Sequence, residues 1–340
     1  MKSFLMLALV LAGSLCSAER RLVVVDQDAT GPGTTNQMAL LALLESPEVE
    51  LLGITEVTGD GWMDANTRHT LRMLELTGHG TVPVARGARG PLVRDREQTR
   101  LEEALVGKSG WLGAWRADES NAPIPEGEPA LKPIDEDAAH FLLRQVHAHP
   151  HQVTIYAGGP LTNIALAISL DPQFATLTKG LVVMGGSLNP SVDGGNHPRR
   201  EFNFWFDPEA AHIVLRADWP RVDVTTVDAS VQAPLTAEIL HQLAASDKPA
   251  ARYIARWSKP VSYMWDELAA LAWIDPAIIT REQIVFMDVD LSHGPGYGDT
   301  LTWDDEDKPA TGLRAVHAQL GIDRARFEKL FVARIAGTTK

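Results

Sequence analysis

The sequence predicts an α/β fold: a mostly parallel, twisted sheet that helices flank on both faces, in a Rossmann-like open arrangement. Short apolar runs rich in Val and Ile recur along the chain, as expected of buried parallel strands. Most of these runs are followed by a longer apolar segment of helical length. Asp or Gly lies at the end of several of these runs, and ligands bind at the carboxyl ends of such strands.

The predicted elements alternate along the chain. The expected strands are residues 22–26, 49–57, 82–84, 153–157, 181–184 and 221–227. The expected helices are residues 36–44, 64–76, 138–149, 161–170, 235–243, 248–257 and 264–273. Residues 87–132 are less regular and are typical of an insertion that covers a site. No repeat or low-complexity linker interrupts the pattern, so residues 19–340 are predicted to form one domain.

The first 18 residues have the pattern of a secretory signal. Lys2 precedes a short apolar run, and small residues lead to Ala18, after which we expect cleavage. The run is too short for a permanent membrane anchor. A lipid anchor on Cys16, the only cysteine, is the alternative. The mature protein is therefore expected outside the cytoplasm, periplasmic or secreted, without a membrane span.

The composition limits the classes of partner. Hydrophobic residues make up 45% of the chain and charged residues 22%, which is typical of a globular protein. The formal net charge of -13 disfavours binding to nucleic acids and to anionic membranes. A small neutral or cationic ligand is more compatible with this charge.

Two acids follow the first predicted strand, in Asp26-Gln27-Asp28. Two carboxylates at the end of a buried strand, beside a glycine-rich loop, suggest a site for a hard cation. Solvated loop acids or a helix cap are the alternative. Asp60 follows the second strand, where an Asp-Gly turn would explain it equally well.

Further polar positions follow later strands. Gly158-Gly159-Pro160 could expose a carbonyl to a metal, whereas Thr162 or Asn163 could simply begin a helix. Glu201 and Asn203 lie two residues apart among aromatic residues and suit sugar hydroxyls. The sequence Asp207-Pro208-Glu209 is better explained as a helix start. Asp266 is either an acid at a helix N-terminus or a distant metal ligand, and Trp265 is either core or a platform for a planar ring.

In their order and spacing these segments resemble the inosine–uridine preferring nucleoside hydrolase family. The resemblance spans about residues 22–275 and is clearest in VVVDQDATGPGTTNQMALLALL, LLGITEVTGD, TVPVARGARGPLVR, TIYAGGPLTNIALA, LVVMGGSL and EFNFWFDPEAAHIV. It implies a ribonucleoside hydrolase that uses calcium, commonly dimeric or tetrameric, which cleaves its substrate to ribose and a free base.

The resemblance also implies roles for individual residues. Asp28 matches the aspartate that binds calcium and accepts a proton from the attacking water, and Asp26 matches the acid that supports it. Asp266 and the carbonyl of Gly158 match further calcium ligands. The positions that match the ribose pocket are Met184, Asn196, Glu201 and Asn203.

Two positions depart from the family pattern. Two adjacent aspartates of the family correspond here to Asn36 and Gln37, after a longer loop. Because both amides offer an oxygen, Asn36 is predicted to contact the substrate and Gln37 to coordinate calcium. The lower ligand charge should weaken calcium binding.

The base site also differs among members of the family. Trp265 lies where nonspecific members have a histidine that protonates the leaving base, and Asp60 lies where many have asparagine. Purine-preferring members resemble this chain at both positions, and Trp111 matches another base-site residue. Trp265 is therefore predicted to assist departure of the base by stacking, with solvent as the acid. Further candidates are Trp62, Trp115 and Trp205 for the base site, and His197 and His293 as acids.

The sequence thus predicts a nucleoside N-ribohydrolase that prefers purines. Two alternatives stay open. One is an exported nucleoside-binding protein that lost hydrolysis through Asn36 and Gln37. The other is a hydrolase of a different N-ribosyl compound, such as nicotinamide riboside.

Overall fold

The computed structural model describes residues 20–189, 200–261 and 263–337. The predicted signal segment, residues 1–18, lies outside the described residues. The described strands are β1 Arg21–Gln27, β2 Val49–Glu56, β3 Val84–Arg86, β4 Val153–Ala157, β5 Gly180–Met184, β6 Val222–Thr225, β7 Ile279–Val289, β8 Thr300–Trp303 and β9 Ala315–Ile322.

Helices connect most of these strands. They are α1 Thr35–Leu44, α2 Met63–Thr77, α3 Arg96–Val106, α4 Ala138–Ala148, α5 Thr162–Leu170, α6 Phe174–Leu177, α7 Phe202–Phe206, α8 Pro208–Arg216, α9 Val227–Ser230, α10 Ala237–Ala244, α11 Pro249–Trp257, α12 Trp265–Ile274 and α13 Arg324–Ala336. Short 3-10 helices span Gly113–Arg116 and Pro276–Ile278. Along the described part of the chain, no helix combines the length and the apolar character that a membrane span requires.

All the named strands join one sheet, in the order β3-β2-β1-β4-β5-β6-β9-β7-β8. The pairs from β3 to β9 are parallel, whereas β7 runs antiparallel to both β9 and β8. The predicted α/β fold with a mostly parallel sheet is therefore confirmed. The antiparallel end was not predicted, because much of β7 is exposed and charged rather than continuously apolar.

The order in which successive strands are added to the sheet reverses at β1, although all the strands around it are parallel. From this strand β2 and β3 extend to one side of the sheet, whereas β4, β5 and β6 extend to the other. Asp26 pairs in register with Thr55 of β2 and with Ala157 of β4. In open α/β sheets, helices leave the strands on opposite sides at such a point, and ligands bind beyond the carboxyl ends of these strands, here β1 and β4. The residues that follow β1, β2 and β4 therefore meet there.

Two apolar layers hold the sheet between helices. Val23 and Val25 face the layer formed with α1, α2 and α10 to α13, whereas Val24 faces the layer formed with α4, α5 and α8. This alternation follows from the period of two in a strand. Helix α1 is buried along nearly its whole length, and burial of each large apolar side chain there contributes about 1.5–3 kcal/mol.

Several element boundaries differ from the predicted ones. The third strand begins at Val84, the last residue of the predicted range, because residues 84–86 pair with β2. The sixth ends at Thr225, since Val227 begins α9. Asp207 caps α8 and Pro208 takes its first turn, as the sequence predicted.

We predict that Asp207→Ala lowers the free energy of unfolding by about 2–4 kcal/mol, because three donors lose a buried carboxylate. Asp207 accepts hydrogen bonds from Ala210 N–H (3.1 Å), Leu92 N–H (3.0 Å) and Thr162 Oγ1 (2.6 Å). Urea denaturation measures the change. The control is Asp323→Ala, which removes a single exposed cap of α13 and should cost about 1 kcal/mol. Equal losses in the two variants would contradict the prediction.

Candidate active site

Asp28 lies just beyond β1 and is 1% exposed. One carboxylate oxygen, Oδ1, accepts a hydrogen bond from Asn36 Nδ2 (2.9 Å), and Oδ2 accepts one from the backbone N–H of Asp60 (2.6 Å). Its own N–H donates to Gln27 Oε1 (3.0 Å). These three contacts fix the carboxylate between the loops that follow β1 and β2.

Asp26 is held behind Asp28 by neighbours from β2 and α5. Its Oδ2 accepts hydrogen bonds from Thr55 Oγ1 and from Asn163 Nδ2 (2.8 Å). Asn163 also accepts from Ala88 N–H (2.8 Å), so it joins three segments. Asn163 lies in the first turn of α5, as predicted, but its contact with Asp26 was not predicted, although an amide in the segment that follows β4 was a usable signal.

A second buried acid, Glu56, supports the loop after Asp28 and was not predicted. Its Oε2 accepts from Ala29 N–H (3.2 Å) and its Oε1 from Thr70 Oγ1 (2.5 Å). Burial raises the pKa of Glu56 to about 8. Its position as the last residue of β2 was the signal that could have identified it.

The two amides that replace the family aspartates point in different directions. Asn36 donates to Asp28, and its Oδ1 is buried without a hydrogen-bond partner. Gln37 Oε1 accepts from Gly33 N–H (2.8 Å) and from the hydroxyl of Tyr253 (2.7 Å). Gln37 therefore holds the Gly31–Gly33 loop with the oxygen that was expected to coordinate a cation.

Glu201 and Asn203 flank the start of α7. The Glu201 carboxylate accepts from the N–H groups of Asn203 (2.7 Å), Phe204 (3.0 Å) and Gly186 (3.1 Å), so it caps the helix. Asn203 Nδ2 donates to the carbonyls of Gly158 (3.0 Å) and Met184 (3.1 Å). The predicted ribose residues therefore meet the ends of β4 and β5. Asn196 and His197 lie outside the described residues.

Asp266 enters the site from the first turn of α12 and is 3% exposed. The hydroxyl of Tyr156 donates to its carbonyl (2.8 Å), which fastens α12 to β4. The neighbouring Glu267 is fully buried, and neither of its carboxylate oxygens has a hydrogen-bond partner. Glu267 was not singled out from the sequence, where it reads as an ordinary helix acid.

Asp60 links Asp28 to the surface. Its backbone contacts Asp28, and its Oδ1 accepts from the indole Nε1 of Trp111 (2.5 Å). Trp111 is 44% exposed, and the guanidinium of Arg116 lies 3.8 Å from its ring centroid. The structure thus brings the predicted base-site residues Asp60 and Trp111 into contact.

The other aromatic candidates take different positions. Trp265 is half-buried and contacts Tyr263 edge-on, with ring centroids 4.8 Å apart. Trp115 and Trp205 are buried in an aromatic cluster with Phe206, against which Trp62 also packs. Trp115 and Trp205 therefore belong to the packed interior. His293 is exposed and contacts Tyr297.

Burial and mutual repulsion shift the protonation of these acids. Burial raises the pKa of Asp28 well above its usual range, and the charges of Asp60, Asp266 and Glu56 raise it further. Burial followed by the charges of Glu267, Asp60 and Glu201 does the same to the pKa of Asp266. Such mutual effects require the carboxylates to lie close together.

This cluster suits a divalent cation. Several buried carboxylates repel one another, Asn36 Oδ1 lacks a partner, and the carbonyl of Gly158 lies beside Asn203. Oxygen donors of this kind are the usual ligands of calcium. Asp28, Asp266, Asn36 and Gly158 could hold it, whereas Gln37 is already engaged.

A second group of donors lies elsewhere on the sheet. Ligand atoms of Asp223, Glu282 and His317 fall within 4.8 Å of one another, on β6, β7 and β9. Arg221 already forms a salt bridge to Asp223 (2.6 Å) and lies 3.7 Å from Glu282. The group could hold a metal only if the guanidinium of Arg221 moved away from these carboxylates.

The comparisons with known proteins agree with this geometry. The family model described as inosine-uridine preferring nucleoside hydrolase matches residues 23–329, so the chain belongs to that family. A probable uridine nucleosidase 2 of Arabidopsis thaliana is 35% identical over 240 residues, which cover 70% of this chain and 69% of that protein.

Solved structures support the same assignment. A plant nucleoside hydrolase is 25% identical, with a TM-score of 0.75, and the match covers 94% of this chain and 99% of that chain. A purine-preferring ribonucleoside hydrolase from Gardnerella vaginalis is 26% identical, with a TM-score of 0.75, covering 93% and 98%. The predicted family is therefore confirmed.

We predict that the metal-free protein loses stability as the pH rises from about 4 to about 8. Burial raises the pKa of Asp26 to about 7, of Glu201 to about 7 and of Glu56 to about 8, whereas unfolded carboxyls titrate near 4. The folded state therefore binds protons more tightly than the unfolded state does. The free energy of unfolding falls as the pH rises, because ionisation of these groups costs more in the folded state.

Thermal unfolding in EDTA between pH 5 and pH 8.5 measures this effect. Glu56→Gln should reduce the fall, because the amide cannot ionise. A stability that is constant or rises over this range in the wild type would contradict the prediction.

Proposed function

We propose that this chain hydrolyses the N-glycosidic bond of ribonucleosides outside the cytoplasm, with a preference for purines. One observation carries the proposal: in a nucleoside hydrolase fold, Asp28 is held at the carboxyl end of β1 within a cluster of buried carboxylates. Export is supported by the signal-like pattern of residues 1–18.

Asp28 is the proposed general base. Asn36 and the N–H of Asp60 orient its two oxygens and leave it able to accept a proton from water. The water oxygen bonds to the anomeric carbon as the bond from that carbon to the base nitrogen breaks. The electron pair of the broken bond stays on the base, which takes a proton from solvent.

Negative charge in the site favours this reaction. Positive charge develops on the ribose in the transition state of such cleavages, and Glu201, Asp60 and Asp266 would stabilise it. Calcium, where bound, would lower the pKa of the attacking water and hold it near the sugar. Its proposed ligands are Asp28, Asp266 and the carbonyl of Gly158, with Asn36 as a further oxygen donor.

The preference for purines rests on Trp265, Asp60 and Trp111. Large rings gain more than small ones from stacking on an exposed indole, and Trp111 is 44% exposed. Similarity to the purine-preferring ribonucleoside hydrolase from Gardnerella vaginalis supports the same choice. The name of the Arabidopsis thaliana relative supports the alternative, a preference for uridine.

We predict that the purified protein with calcium releases reducing sugar from inosine or guanosine. Asp28→Asn should lower kcat by about 10²–10⁴-fold, because it removes the general base and keeps the shape. Asp247→Asn, a change at an acid whose side chain is 97% exposed, is the control and should keep full activity. Nucleoside binding without any release of sugar would instead support a non-catalytic binding protein.

A second prediction concerns the base. Trp265→His should raise kcat/KM for uridine relative to inosine at least fivefold, because an imidazole can protonate a pyrimidine that stacks poorly. Trp273→His, at the other end of α12, is the matched control. Competition between the two nucleosides measures the ratio. An unchanged ratio in Trp265→His would show that this position does not set the preference.

A further inference from the structure

A short segment, residues 111–117, crosses the loop that follows β2 and is here called the strap. Ala114 N–H donates to the carbonyl of Gly59 (2.8 Å), and the indole of Trp62 donates to the carbonyl of Ala117 (3.1 Å). Gly113 has a φ of +52° and approaches Gly59 so closely that a Cβ would lie 2.3 Å from its carbonyl oxygen. The strap is therefore docked on the loop that carries Asp60.

Trp111, at the start of the strap, is constrained on one edge and on one face. Its indole Nε1 donates to Asp60 Oδ1 (2.5 Å), which fixes the edge. The guanidinium carbon of Arg116 lies 3.8 Å from the ring centroid, which covers one face. Since Trp111 is still 44% exposed, part of the indole stays accessible to a ligand.

Arg116 is itself held in place for this contact. Its Nε donates to the carbonyl of Gly113 (3.2 Å), within the same 3-10 helix. Arg116 is thus held over the indole of Trp111 from within the strap itself.

We propose that Arg116 is a positioning residue of the base site, which holds Trp111 so that a single face of the indole receives the base. The inference rests on the proposed function, because it assigns the free face of Trp111 to a nucleobase. Because Arg116 holds a stacking surface and not a reacting group, the expected effect is on substrate binding rather than on bond cleavage. Cation–π contacts at exposed sites are modest, so this effect should be small.

The test uses a double-mutant cycle in the full chain with calcium. Arg116→Met should raise KM for inosine about three- to tenfold and leave kcat within twofold. Arg116→Lys, which keeps a cation but loses the Nε donor, should recover most of the affinity. Arg96→Met is the matched control, because Arg96 forms an ion pair with Asp118 and should not affect KM.

The second half of the cycle uses Trp111→Ala. If Arg116 acts through the indole, Arg116→Met should change KM less than 1.5-fold in that background. A full three- to tenfold effect there, or no effect in the wild-type background, overturns the role of Arg116. An equal rise in KM in Arg116→Lys and Arg116→Met also overturns it, since the effect would then come from the hydrogen bond to Gly113 and not from the cation over the indole.

Failure of the proposed function gives a different result. Equilibrium dialysis of inosine against Asp28→Asn measures binding without turnover. If the wild type hydrolyses nucleosides but Arg116→Met and Trp111→Ala change KM independently, only the role of Arg116 is overturned. A protein that neither binds nor hydrolyses any nucleoside overturns both.

Discussion

Buried carboxylates at one end of the sheet are the constraint on which the rest of this structure depends. Asp26, Asp28, Glu56, Glu201, Asp266 and Glu267 are each less than 5% exposed. Burying so many acids is costly, since the charged forms lose water and repel one another. The fold offsets part of this cost with backbone N–H donors and with the amides of Asn36 and Asn163. A cation would offset much of the remainder.

The topology explains why the acids meet. Parallel strands bring their carboxyl ends to one edge of the sheet, and the strand order reverses at β1, which is where ligands bind in such sheets. Asp28 and Asp60 come from adjacent strands, whereas Asp266 arrives on a helix more than 200 residues later and is fastened there by Tyr156. The acids thus lie on strands, on a helix or in the loops directly after the strands. The strap over Asp60, by contrast, belongs to an irregular insertion.

Much of the fold was predictable from periodicity. The strands from β1 to β6 are short apolar runs, and most of the helices that follow them are apolar enough to recognise. The antiparallel β7 and helix α13 were missed because charged residues interrupt their apolar pattern. The strand β8 has only four residues, and β9 carries His and Gln among its apolar residues. Their place in the sheet depends on pairing with distant strands, which local sequence does not encode.

The candidate site was predictable in part. Asp28, Asp60, Asp266, Glu201 and Asn203 lie at strand ends or helix starts, where polar residues are visible in the sequence. The orientation of a side chain is not visible there. Gln37 illustrates this, because its oxygen accepts from Gly33 and Tyr253, a partner 216 residues away. Asn163, Glu56 and Glu267 were missed for a related reason, since only the folded chain reveals how deeply they are buried.

We propose that the acidic cluster around Asp28 and Asp266 is a cation site. Calorimetric titration of the metal-stripped chain with calcium, in two buffers with different ionisation enthalpies, tests it most directly. We predict one calcium ion per chain, with protons released on binding because the buried carboxyls hold them, and loss of that binding in Asp266→Asn. Absence of calcium binding at millimolar concentration, or binding that Asp266→Asn leaves unchanged, would contradict the account.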